Sequence, residues 1–297
     1  MHPKEMYDEF IELLDTSDNF ISGASIWRKL HAANQNIQRI ISDADGTFFV
    51  QNTSISLVAN QATYDLPANA RLGARIVFTE GIEGSEEIPS INMFKHHVDY
   101  EASGLTQGRQ YTIEGAKVRI APVPTSAETD AVRVWYIPNF GNMLYGVASA
   151  GAASTITGWT TASNYTTNFG EIDKRDDYYN GMTIRIISGT SAGDQRIVSD
   201  FDGGTSGGLW TVNTAWTSTP DTTSVFCLES PVPEDHRMTS ILNACLYGSI
   251  QTRKRMSDIR QTYFGNIQQR GALGDLLAYL EERKEQLQVV VPLDIGA

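Results

Sequence analysis

Ser188 to Ile197 reads "SGTSAGDQRI", with glycines at Gly189 and Gly193. A phosphate-cradling loop needs G-x-x-x-x-G-K-[ST] between a strand and a helix, so that backbone N–H groups and a lysine meet the phosphates. Here the glycines enclose one residue too few, and Asp194 stands where the lysine belongs. An aspartate in that place repels a phosphate. The flanks "MTIRIIS" and "QRIVSDF" are both rich in β-branched residues, so the stretch reads as a hairpin loop between strands.

The same texture extends outward from that hairpin. From Gly146 to Leu228, Gly, Ser, Thr, Ala and Asn dominate, and "LWTVN" and "TSVFCL" add further strand-like runs. This predicts an all-β insertion over 146–228, entered through the flexible "GVASAGAAST". Before it, "TSISLV", "ARIVFT", "RQYTIEG", "KVRIAP" and "AVRVWYI" predict a small sheet, with a hairpin turn near Glu114 to Ala116. "YDLPANAR" reads as a strand leading into a turn.

The two ends have helical period. Tyr7, Phe10, Ile11 and Leu14 lie on one face, as do Ile26, Leu30, Ala33, Ile37 and Ile40 after a capping Ser25. Near the other end, Pro233 and the acids after it open a helix along Met238, Ile241, Leu242 and Cys245. That helix weakens between Gly265 and Gly274 and resumes at "DLLAYLEERKEQL". The expected fold is α+β: a helical bundle, made of an N-terminal helical hairpin and a long C-terminal helix, with a small β-sheet and an inserted all-β domain. The expected division is 1–145 plus 229–297 as a core and 146–228 as the insertion.

The chain has 297 residues and a formal net charge of −12. Such an acidic surface argues against wrapping on nucleic acid, which needs clustered Lys and Arg, but suits a wall that DNA slides past. Cys227 and Cys245 show no metal spacing and read as buried thiols. The start, "MHPKEMYDEFIELL", carries acids where a signal peptide needs a basic segment and an apolar run. No apolar stretch approaches the roughly 20 residues of a membrane span. The chain reads as one assembled in a cytosol.

Few residues suggest chemistry. His96, His97 and Asp99 offer metal-ligand types without a complete set, and a polar loop explains them better. His236 could pair with Glu234 or Asp235, but a first helical turn explains all three. "DKRDDYY", from Asp173 to Tyr179, reads as a solvated charge run. No hydrolase, zincin or Cys–His signature is present, so no catalytic residue, cofactor or metal is expected. Trp159, Trp210 and Trp216 form either the core of a β-domain or a platform for sugars, the core being the plainer reading. Arg253, Lys254, Arg255 and Arg260 fan around a helix, which suits subunit contacts better than DNA. Val289, Val290, Val291 and Leu293 make an apolar segment that suits burial against a partner.

The order of these elements resembles a known family. An acidic helical hairpin, then "YDLPANARLGARIVF", "RQYTIEGAKVRIAPVP" and "AVRVWYI", then "VPEDHRMTSILNACLYGSI" opening a helix, are similar to the head-to-tail adaptor (connector) proteins of short-tailed bacteriophages. The likeness covers about residues 1–140 and 229–290. "NGMTIRIISGTSAGDQRIVSDFDG" with "AWTSTPDTTSVFCL" resembles β-modules of phage structural proteins. The resemblance implies a ring of about twelve copies under the portal protein, a helical bundle around the DNA channel, and β-elements facing the tail nozzle or fibres. It implies a C-terminal segment docked in the portal, which points to Val289, Val290, Val291 and Leu293. DNA would pass without specific binding. The implied location is the head–tail interface of a virion assembled in the host cytoplasm, with no membrane, no cofactor and no catalysis. The alternative expectation is a tail protein whose β-module binds a glycan or fibre through the tryptophans.

Overall fold

The computed structural model describes residues 1–14, 22–72, 75–81, 86–90, 108–248, 256–266 and 268–289. Side chains of residues 247, 248, 256 and 285–289 are outside that description. The expected helical bundle is not what forms. The chain is mostly β, with thirteen strands in three sheets and five α-helices among the described residues. The strands are β1 (Gln51–Leu57), β2 (Thr63–Asp65), β3 (Val77–Glu80), β4 (Gln110–Glu114), β5 (Lys117–Ala121), β6 (Glu128–Tyr136), β7 (Leu144–Val147), β8 (Ala150–Ala152), β9 (Thr155–Thr157), β10 (Thr183–Ser188), β11 (Gln195–Asp202), β12 (Leu209–Val212) and β13 (Val225–Leu228). The helices are α1 (Pro3–Leu14), α2 (Gly23–Ala44), α3 (Arg237–Gly248), α4 (Met256–Phe264) and α5 (Ala272–Val289).

The long C-terminal helix fails for a local reason. Gly265 takes φ +82°, and its N–H bonds Gln261 O at 2.7 Å, which is how a helix ends in a left-handed residue. Asn266 Oδ1 then accepts from the N–H groups of Gln268 and Gln269, each at 2.9 Å. That Asx turn competes with helix for the same backbone donors. A Cβ on Gly265 would stand 2.4 Å from Gln269 O, so no other residue fits the turn as it is.

The chain also divides elsewhere than expected. Residues 1–48 and 140–297 form one compact unit, and 49–139 form another. The Gly/Ser/Thr-rich β region belongs with the helices because it packs on them. Trp27 Nε1 donates to Met143 O at 3.2 Å, and Tyr7 meets the Phe169 ring edge-on at 5.0 Å.

In the first unit, seven antiparallel strands run in the order β7-β13-β10-β11-β12-β9-β8. The opening stretch is the β10–β11 loop. Gly189, Ser191 and Gly193 all take positive φ, and Gly193 N–H bonds Ile186 O at 2.8 Å to close the hairpin. Asp194 turns to Thr217, accepting from its N–H at 2.7 Å and its hydroxyl at 2.8 Å. These bonds hold its carboxyl below the ordinary value although burial opposes them. Trp210, Tyr179, Phe201 and Phe226 are fully buried in this unit's core. Each such ring contributes roughly 2–3 kcal/mol of apolar burial. α1 buries Met6, Tyr7, Phe10 and Leu14 on one face. α2 is capped by Ser22, whose Oγ accepts from Ser25 N–H, so the cap lies three residues before the expected one. It buries Ile26, Trp27, Leu30, Ile37 and Ile41.

The second unit holds two three-stranded sheets, β1-β6-β3 and β2-β5-β4. Its core includes Leu57, Tyr64, Phe78, Tyr111, Val118, Ile120, Val132 and Val134. β6 shows the period of two that builds it: Val132, Val134 and Tyr136 are buried, while Arg133 and Trp135 between them are only partly so.

Candidate functional site

The most constrained polar cluster lies where α1, α2 and α3 meet the end of β13. The Arg237 side chain is 7% exposed and that of Glu229 5%. Arg237 Nη2 donates to Glu229 Oε2 at 2.9 Å and to Ser230 O at 3.2 Å. Its Nε donates to Val232 O at 3.2 Å, and its Nη1 to Met1 O. Arg185 on β10 stands 3.6 Å from Glu229 Oε1. A carboxylate between two guanidiniums, with backbone carbonyls taking the remaining donors, is how a buried charge is tolerated. This arrangement ties the chain start, the sheet and α3 together.

A second polar seam runs between α2 and α3. Asn34 is wholly buried, and its Oδ1 accepts from Ser230 Oγ and from Ser240 Oγ. α3 is also tied to α4, where Asn243 Nδ2 donates to the Tyr263 hydroxyl at 2.8 Å. His31 Nδ1, Asn34 Nδ2 and Gln38 Nε2 are buried without a hydrogen-bond partner. Burial pushes His31 down to about 4. Such a seam fixes the pairing of two helices more than it strengthens it.

The three tryptophans do not make a shared platform. Trp210 is inaccessible, with ring centroids 5.0 Å from Phe201, 5.4 Å from Phe226 and 5.7 Å from Tyr179. Trp216 is buried beneath Arg196, 5.8 Å above its ring. Trp159 is 7% exposed and borders an open groove of about 660 Å³. Ser163, Glu171, Lys174 and Thr205 also line that groove. An aromatic edge beside hydroxyl, carboxylate and ammonium groups could bind a neutral polyhydroxyl ligand.

The other expected residues scatter. Arg260 is exposed on α4; Arg253 and Arg255 lie outside the described residues. Val289 ends α5, and Val290, Val291 and Leu293 lie outside the described residues, as do His96, His97 and Asp99. Glu234 pairs with the Met1 amine, while the His236 ring lies 5.0 Å from that of Tyr279. Asp173 binds Arg175 at 2.8 Å, and that guanidinium covers Tyr178, so the charge run folds on itself. Among the described residues no group of three or more His, Cys, Asp or Glu stands together as a metal set. No helix of the described residues is long and apolar enough to cross a membrane.

The Arg237–Glu229 pair was missed by sequence reasoning, since nothing local marks residues eight apart as partners. Asn34 carried a weak signal: a carboxamide inside the apolar face of α2. No protein-family model matches the sequence, and no curated protein is similar to it.

Proposed function

We propose that the chain is a structural virion protein: an adaptor subunit that assembles with copies of itself and joins the portal to the tail of a short-tailed phage. The observation that supports this reading is the packing of the N-terminal helices against the segment that opens α3. The segments at residues 3–44 and 229–248, which carry the helical part of the resemblance, pack together around Arg237. The other motif segments each form one element. "YDLP" gives β2, where the Tyr64 hydroxyl donates to Gln61 O at 2.8 Å and accepts from Val58 N–H at 3.1 Å. "RQYTIEGAKVRIAP" gives the β4–β5 hairpin, and "AVRVWYI" the central strand β6. The net charge of −12 suits a channel that DNA passes without adhering.

In this reading Val289 to Leu293 dock in the portal, and the seven-stranded sheet faces the tail. Negative-stain microscopy of the chain, alone and with a candidate portal, tests it. Rings in either sample support the adaptor; monomers in both overturn it. A chain ending at Gln288 should keep its fold and lose portal binding, and undiminished binding removes that docking assignment. The groove beside Trp159 favours a second reading, a glycan- or fibre-binding module of a tail. A glycan or fibre array with no response overturns that one.

A further inference from the structure

The edges of the sheets differ in how they end. The outer edge of β3 is covered by residues 86–88, through Ile88 N–H to Phe78 O at 2.7 Å and Glu80 N–H to Glu86 O at 2.9 Å. β4 is met by Tyr111 N–H to Pro89 O at 3.1 Å, and β7 by a bridge between Tyr145 and Phe169. β2 and β8 are three residues long. β1 is different: seven residues long, with β6 on one side only. Among the described residues, no backbone hydrogen bond of β1 lies outside its ladder with β6. Alternate N–H and C=O groups of an edge strand point outward, ready to pair.

β1 has few of the devices that guard an edge; its one irregularity is a register shift against β6 between Ile55 and Leu57. It has no proline and no charge, and the whole stretch from Gly46 to Tyr64 contains no Asp, Glu, Lys, Arg or His. Asn52, Thr53, Ser54 and Ser56 are exposed. A chain of net charge −12 repels its own copy over most of its surface, but β1 itself adds no charge, the carboxylate beside it being Asp130 of β6, which accepts from the Ser54 hydroxyl. We infer that a second copy of this chain completes this edge, its β1 pairing antiparallel with the first about a two-fold axis. The second copy has the same long bare strand to offer; with the axis at Thr53, Thr53 faces its own copy and Asn52 faces Ser54, one diagonal step from the second copy's Asn52. The two β1-β6-β3 sheets become one continuous sheet. The contact closes at two copies, so it stands apart from ring assembly and does not depend on the adaptor reading.

Sedimentation velocity of the full chain over a dilution series tests this. The wild type should dimerise. Asn52→Lys, which sets two lysines near each other across the axis, should dimerise at least about tenfold more weakly. Gln61→Lys, which adds the same charge in the same stretch but off the strand, should behave as wild type. Thr53→Cys should form a disulfide-linked dimer under mild oxidation. The native thiols do not compete, since Cys227 and Cys245 are buried and burial pushes Cys245 up to about 12. The inference is overturned by a wild type that stays monomeric, by an Asn52→Lys chain that associates as the wild type does, or by failure of the Thr53→Cys cross-link in an associated sample.

Discussion

Arg237 and Glu229 form an ion pair at 2.9 Å with both side chains almost wholly out of water. Removing Arg237 leaves the buried Glu229 carboxylate without its hydrogen-bonded partner, with only the half-exposed Arg185 at 3.6 Å to offset its charge. Arg237→Met should therefore cost about 3–5 kcal/mol of stability, read as a shift of the urea midpoint. Pairing it with Glu229→Gln should recover much of that loss, because the stranded charge is gone. A single variant as stable as the wild type would show that the pair does not hold the chain ends.

His31 gives the fold an acid-sensitive element. Its ordinary value is 6.5, and burial pushes the folded value down to about 4. The unfolded chain thus binds more protons between those limits. Stability from neutral His31 is fully present above about pH 6.5 and is lost as pH falls toward 4, by at most about 1.4 kcal/mol per unit. His31→Leu should flatten that limb of the stability curve. An unchanged slope between pH 6.5 and 4 would mean that His31 is hydrated in the fold.

Asp45 holds α5 to the end of α2. Its side chain is 2% exposed, and Arg283 on α5 donates to its Oδ2. Burial would raise its carboxyl, but the Thr47 hydroxyl and N–H and the Arg283 and Lys284 charges hold it below the ordinary value. Arg283 also covers the Phe48 ring at 4.4 Å. Asp45→Asn should cost about 1.5–3 kcal/mol. Amide exchange should accelerate first in α5. Uniform acceleration over the unit would instead mean that α5 unfolds only with the rest.

The two glycines of the β10–β11 loop should respond differently. Gly193 takes φ +92° but faces open space, so Gly193→Ala meets only backbone strain of about 1 kcal/mol. A Cβ on Gly189, at φ +82°, would stand 2.1 Å from Thr223 O. Gly189→Ala adds that clash and should cost about 1–3 kcal/mol more. Thermal melts of both variants measure the difference, and equal costs would place Thr223 further away.

How much of this was legible varies with the range of the cause. The β10–β11 hairpin was legible, because its turn residues and the β-branched flanks agree. α2 was legible from one apolar face, although its cap fell at Ser22 instead of Ser25. The break at Gly265 was visible as a weakness but read as tolerable, since the Asx turn at Asn266 depends on geometry that spacing does not show. The unit boundary was misplaced because the composition changes near Gly146, whereas contacts such as Trp27 with Met143 are set by packing. Trp210 could not be told from a ligand platform by pattern, because either role gives the same alternation along β12.

The pairing of α1 and α2 with α3 has a consequence for synthesis. The helices with Phe10, Ile26, Leu30 and Ile37 leave the ribosome first, but the helix that covers them begins only at Arg237. At ordinary elongation rates the interval between Ala44 and Arg237 lasts on the order of ten to forty seconds. Throughout it, an apolar helical face waits without α3 to cover it, so the nascent chain is open to association through that face until α3 arrives.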